Sequence, residues 1–117
     1  MSKNELTQSQ KIARLNDEFR KNMVYYSLLG QVVTTASIAT LPANEKMQIF
    51  DKVISFNSFS EDNDPYGEHD FGSFNHNADT IFWKIDCYDK SMQYGSEDPA
   101  DNSKTKRLLT IMYAHEY

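Results

Sequence analysis

Cysteine is almost missing from this chain. Cys87 is the only one in 117 residues, so no intrachain disulfide can form and no cysteine-based zinc framework can be built. A reducing compartment is expected, and a redox role has nothing to rest on. Long apolar runs are missing too, and Met1-Ser2-Lys3-Asn4-Glu5 leads into a polar amphipathic stretch instead of a signal-peptide core. These two absences predict a cytoplasmic protein with no membrane segment. Glycine and proline number only four and three. No phosphate-cradling glycine loop, nucleophile elbow or His-x-x-x-His helix appears, so the sequence leans away from an enzyme.

What is present is an ordinary globular composition long enough for one core, so residues 1–117 are expected to form a single domain, with 1–6 disordered. The net charge of −5 is unevenly spread. Met1 to Asn57 carries seven basic and five acidic residues, Ser58 to Asn102 two and eleven, and Ser103 to Tyr117 three and one. The acidic excess therefore lies wholly in the middle. Direct nucleic-acid binding through that surface is disfavoured, because phosphate contacts need a basic footprint. Cations, basic protein partners or mimicry of nucleic acid fit it instead.

Taken in order, Thr7-Gln8-Ser9-Gln10 matches a capping box, and Ile12, Leu15, Phe19 and Met23 fall on one helical face. Arg14, Asp17, Glu18, Arg20 and Lys21 read as the solvated opposite face, and Tyr25 to Leu29 as core. Gln31 to Leu41, rich in β-branched residues, predicts a strand. Pro42 then opens a second helix running to about Phe56, with Met47, Phe50, Val53 and Ile54 inward. Asp70 to His76 and Thr80 to Tyr88 predict a hairpin across Asn77-Ala78-Asp79, with Ile81, Trp83, Ile85 and Cys87 facing the core. Residues 90–106 form a long acidic loop. Arg107 to His115 predicts a last strand, apolar on both sides and therefore central. The order α-β-α-β-β-β describes an α+β domain, a mainly antiparallel four-stranded sheet with two helices on one face.

The chemistry-bearing residues crowd into Ser60 to Asp89. Asp62, Asp64 and Gly67 stand at the first, third and sixth positions of an EF-hand-like loop, with Glu68 and Asp70 at the seventh and ninth. Tyr66 at the fifth position, Ser73 at the twelfth and Pro65 within the loop break the match. A different Ca²⁺ or Mg²⁺ site from Asp62, Asp64, Glu68 and Asp70 stays open, against turn-making by the same residues. Glu68-His69-Asp70 sets an imidazole between two carboxylates, enough for general base work, to which Asp86, Asp89, Lys84 and His115 can add. His76 reads as an exposed turn histidine. Phe82, Lys84, Asp86 and Tyr88 share the outer face of their strand, where a recognition surface competes with a plain salt bridge. Tyr66 and Tyr94 can add interface-type aromatic contacts.

The motifs Glu61-Asp62-Asn63-Asp64-Pro65-Tyr66-Gly67-Glu68-His69-Asp70-Phe71-Gly72, Phe82-Trp83-Lys84-Ile85-Asp86 followed by Tyr88-Asp89, Gly95-Ser96-Glu97-Asp98-Pro99 and Arg107-Leu108-Leu109-Thr110-Ile111-Met112 closely resemble a family of small, mostly proteobacterial proteins defined only as a domain of unknown function. The resemblance runs from about Ile12 to Tyr117. It implies a stand-alone bacterial domain and brings no activity, cofactor or partner. It also places Cys87 where many members carry a tyrosine, which speaks against a catalytic cysteine.

The function expected from these residues is a non-enzymatic binding module. Its acidic loop and hairpin face, through Tyr66, Phe82, Lys84, Asp86, Tyr88, Glu97 and Asp98, would engage a basic protein partner as an inhibitor or nucleic-acid mimic, with a cation able to order the loop. One alternative is a metal-dependent hydrolase or nuclease centred on Glu68, His69 and Asp70, with Asp64. The other is a homo-oligomeric structural protein in which Glu97, Asp98 and the Arg107 strand cap a neighbour's loop.

Overall fold

A computed structural model describes residues 5–23 and 30–117. The expected core stretch Tyr25 to Leu29 and most of the expected disordered terminus lie outside the described residues. The first helix, α1 (Gln8–Lys21), starts as its sequence demands: Thr7 Oγ1 accepts from Gln10 N–H, and Gln10 Oε1 accepts from Thr7 N–H. Its apolar residues Ile12 and Phe19 are buried, as is Met23 just past its end.

A strand, β1 (Gly30–Thr34), follows, then the short helix α2 (Ala36–Ala39) and the longer α3 (Ala43–Ile54). The strand expected over Gln31 to Leu41 therefore stops at Thr34. Thr35 closes the ladder by donating its N–H to the Ile111 carbonyl, and the chain then turns so that Ile38 is buried from a helix. Tertiary packing overrides β-branched propensity here. In α3 the inward residues are Ile49 and Val53, whereas Met47, expected inside, is 64% exposed.

The remaining strands, β2 (Phe71–His76), β3 (Asp79–Tyr88) and β4 (Lys106–Tyr113), form an antiparallel meander ending in a 3₁₀ turn at Ala114–Glu116. The β2–β3 turn is shorter than expected, because Asp79 already pairs with His76, and Asn77 takes the left-handed conformation. The sheet order is β1-β4-β3-β2, with β4 central as expected. It is mixed, not purely antiparallel: β1 runs parallel to β4. The fold class is α+β, with three α-helices among the described residues instead of the expected two.

One side of the sheet makes the core. Ile81, Trp83, Ile85, Leu109 and Ile111 pack against Phe19, Ile38, Ile49, Val53 and Phe56. By register, Phe71, Phe82, Lys84, Asp86, Leu108 and Thr110 share the opposite face, and they remain half-buried.

Candidate functional site

The acidic segment after α3 is folded on itself by short polar side chains. Asp64 is buried, and its carboxylate accepts from the N–H groups of Glu68 at 3.0 Å and His69 at 3.1 Å. Asn63 accepts from Ser60 N–H and donates to the Ser58 carbonyl. Gly67 sits at φ +67°, which glycine adopts without steric cost. Much of the motif is therefore turn chemistry. Asp62 points to solvent, and among the described residues no three His, Cys, Asp or Glu side chains gather so as to hold a metal ion.

His69 is held in an unfavourable left-handed conformation, φ +55°. Its ring stacks on Phe59 with centroids 3.9 Å apart, and Nδ1 lies 2.9 Å from an Asp17 oxygen, while Nε2 stands 3.7 Å from Asp64. Asp17 also accepts from Arg20 Nη2 at 3.0 Å. Arg20, expected on the solvated face of α1, is fully buried. Its Nη1 donates to the Val53 and Ile54 carbonyls at the end of α3, and its guanidinium lies 4.9 Å from the Trp83 ring centroid. Burial lowers its pKa, opposed by Asp17. Arg20 thus fastens α1, α3, β3 and, through Asp17, the loop. Its partners are carbonyls, a carboxylate and a ring face, so the solvated-face expectation fails for a specific reason: the residue supplies the last turn of α3 with donors.

The second acidic loop is fastened in the same way. Arg107 is buried on the core face, where it donates to Asn16 Oδ1 at 2.7 Å, Asn102 Oδ1 at 2.7 Å and the Pro99 carbonyl at 2.6 Å. Asn16, also buried, donates to the Glu68 carbonyl, so it links the first loop to Arg107, which in turn holds the second. Asp98 accepts from Ala100 N–H and Gln8 Nε2. Glu97 is exposed, 3.7 Å from Lys104. Asp98 is thus a loop-capping residue, and neither it nor Glu97 lines the groove described next.

Where the first loop meets the open sheet face there is a groove of about 310 Å³, lined by Tyr66, Asp70, Phe71, Lys84, Asp86 and Tyr117 among others. The Asp70 carbonyl accepts from Ile85 N–H at 2.8 Å, which fixes the loop's end against β3. Lys84 Nζ lies 2.9 Å from Asp86, and that bond raises the lysine pKa. Phe82 supports the groove from the side, with its ring edge-on to Phe71 and Tyr117. Burial first, then the charges of Asp64 and Asp86, push the Asp70 carboxyl up; Glu68 is pushed up by burial and by Asp70 and Asp64. Three of the expected binding residues, Tyr66, Lys84 and Asp86, are brought together here. Tyr88 lies further along the same face, its backbone bridged to Gly95, and Tyr94 is exposed in the second loop.

Of the expected catalytic helpers, Lys84 and Asp86 join Asp70 in this groove, whereas His115 and Asp89 lie elsewhere. His115 stacks on Tyr113 at the far end of the sheet, where Tyr113 pairs with Ile81, four residues and on the order of 13 Å along the strand from Ile85. Asp89 is engaged by Ser91 and Gln93. His76, expected at the surface, is buried, with Nε2 3.7 Å from Glu45; its even-numbered position in β2 puts it on the core face beside Phe74 and Gly72. Cys87 is half-buried, and burial raises its thiol pKa, which weakens it as a nucleophile.

A larger cleft of about 590 Å³ lies beside α1, bordered by Arg14, Asp17, Lys21 and His69. Sequence reasoning missed the roles of Asn16, Asp17, Arg20 and Arg107, and all but Asp17 left a signal. Asn16 and Arg20 fall within the apolar stripe of Ile12, Phe19 and Met23, and Arg107 has the parity of Leu109 and Ile111.

Fold and site together define a small α+β domain with helices on one sheet face and an acidic, aromatic groove at the rim of the other. A family model described as protein of unknown function (DUF3768) matches residues 34–116, and the chain belongs to that family. No curated protein and no solved structure matches it. The matched span begins at the end of β1, so α1, which holds both loops, precedes it.

Proposed function

We propose that this is a cytoplasmic bacterial binding module, non-enzymatic, that engages a basic protein surface at the rim of its open sheet face, as an inhibitor or nucleic-acid mimic would. The observation that carries this is the groove. Aromatic rings, the carboxylates of Asp70 and Asp86 and one cation, Lys84, line it together, and that cation is already paired with Asp86. A carboxylate pushed up by burial and by neighbouring charge, as Asp70 is, is where a cationic partner gains most, because the partner's charge relieves both the crowding and the lost hydration. The half-buried, unpaired Cys87 suits a reducing compartment.

The hydrolase or nuclease reading has less support. Both ring nitrogens of His69 face carboxylates and its ring is stacked on Phe59, which describes a clamp for the loop more than a free base. The homo-oligomer reading also has less support, since Arg107 and Asp98 are engaged inside their own chain, although Glu97 stays exposed.

Poly-L-lysine, titrated into ¹⁵N-labelled protein at low and high salt, tests the module. Amides of Asp70, Phe71, Lys84 and Asp86 should shift, less at high salt. The response should vanish in the Asp70→Asn/Asp86→Asn double variant and persist in Glu97→Gln. Shifts confined to Glu61, Asp62 and Glu97 would overturn the assignment.

A further inference from the structure

We propose that the group received in the groove between the first acidic loop and the open sheet face is an arginine side chain of the partner, in preference to lysine. This rests on the binding-module reading and adds the chemistry of the contact. Charge sets the first requirement. Asp86 has Lys84 at 2.9 Å, whereas Asp70 has no Lys or Arg nitrogen within 4.0 Å among the described residues. The groove therefore holds one carboxylate more than it holds cations, with Asp64 and Glu68 behind it.

Shape sets the second. Tyr66 and Tyr117 line the groove yet are each 78% exposed, an unusual state for large aromatic side chains that do not pack into the core. Phe71 and Ile85 supply apolar surface between them. A guanidinium stacks on such rings, gives paired N–H groups to one carboxylate, and is less strongly hydrated than an ammonium, so it enters a half-dry site at lower cost. Its methylene stem covers the apolar part. Lysine meets only the charge requirement. A metal ion meets the charge requirement but finds no three-ligand group among the described residues.

The groove adjoins a second one of about 370 Å³, floored by Thr110 and Met112, and the two share Lys84 and Tyr117. The residue next to the arginine in an extended partner segment would lie there.

The test uses three single-residue probes, the N-acetyl methylamides of arginine, citrulline and lysine, titrated to tens of millimolar into the ¹⁵N-labelled full chain. Arginine should move the amides of Asp70, Phe71, Lys84 and Tyr117, with at least a three-fold tighter dissociation constant than lysine. Citrulline, isosteric but uncharged, should leave them in place. Asp70→Asn should weaken the arginine probe at least five-fold. Tyr66→Ser, at an exposed position where folding is not at stake, should erase the preference over lysine and leave the charge-driven part.

Equal binding of arginine and lysine, or binding of citrulline, overturns the proposal. If poly-L-lysine still binds the groove in that case, the module reading stands while the guanidinium assignment falls. If poly-L-lysine shifts nothing in the groove, the module reading falls first.

Discussion

The two acidic loops have similar composition and opposite electrostatics. In the second, residues 89–105, each carboxylate with a resolved shift is lowered. Asp89 is lowered first by its hydrogen bond from Ser91 and Asp101 by that from Ser103, both reinforced by backbone N–H groups. In the first, residues 57–70, Glu68 and Asp70 are raised, chiefly by burial and then by neighbouring carboxylates. One loop uses its acids as internal acceptors. The other uses Asp64 that way and leaves Glu68 and Asp70 partly buried against like charge. Acidity alone therefore does not define a role; the donors that fold around each carboxylate do.

Both loops depend on a buried arginine, and the largest way to break the comparison is to remove one. Arg107→Met leaves Asn16 Oδ1, Asn102 Oδ1 and the Pro99 carbonyl without their donor. About 3 kcal/mol or more of stability should be lost in urea titration. Arg107→Lys should rescue little, because one ammonium cannot span three acceptors held in a fork. A loss under 1 kcal/mol would show that the loop is held by something else.

Next in size is Gly72→Ala. A Cβ there would stand 2.4 Å from Trp83 Nε1 and 2.8 Å from Phe56 Cε1, so the ring that carries Arg20 must move. A cost of about 1–3 kcal/mol is expected from overpacking, with near-ultraviolet circular dichroism reporting the displaced tryptophan. An unchanged spectrum and melting temperature would contradict this close packing.

Smaller again is the contrast within the first loop. Asp64→Ala removes the acceptor for two N–H groups and should cost about 1–2 kcal/mol, whereas the exposed Asp62→Ala should cost almost nothing. Equal effects at both positions would mean that Asp64 is not the loop's cap.

The smallest effect is the most diagnostic, because it changes sign between the loops. Asp70 has a folded-state pKa raised above its unfolded value. Its ionisation therefore opposes folding, a penalty absent below the unfolded pKa and complete once pH has risen through the folded pKa. Asp70→Asn should match the parent in acid and exceed it slightly at neutral pH, by less than about 1 kcal/mol. Asp101 is lowered, so its contribution is present above the unfolded pKa and lost as pH falls through the folded one. Asp101→Asn should thus be weaker than the parent at neutral pH and converge with it in acid. Melting temperatures of the three proteins from pH 3 to 7 check both signs, and parallel curves would remove the distinction between the loops.

The elements with strong local signals were legible in the chain itself. The α1 capping box, the β2–β3 hairpin, the inward set Ile81, Trp83 and Ile85, and the central place of β4 all follow from short-range chemistry and period. The region of the groove is legible too, since Lys84 and Asp86 follow from the hairpin's outer face and Tyr66 from its place as an interface-type aromatic in the acidic loop. What was not legible is set by partners far apart in the chain. Arg20 and Val53 are 33 residues apart, Asn16 and Arg107 are 91, and His69 and Asp17 are 52. A buried arginine and an exposed one have the same side chain; only the carbonyls and rings that converge on it make burial tolerable. The parallel pairing of β1 with β4 is of the same kind, because strand direction depends on where the intervening helices return the chain. Sequence alone thus determined the pieces with their inward faces and put the acidic residues in one segment. Tertiary structure decided which of those acids would be satisfied from within and which left facing a groove, because that depends on donors supplied from elsewhere in the chain.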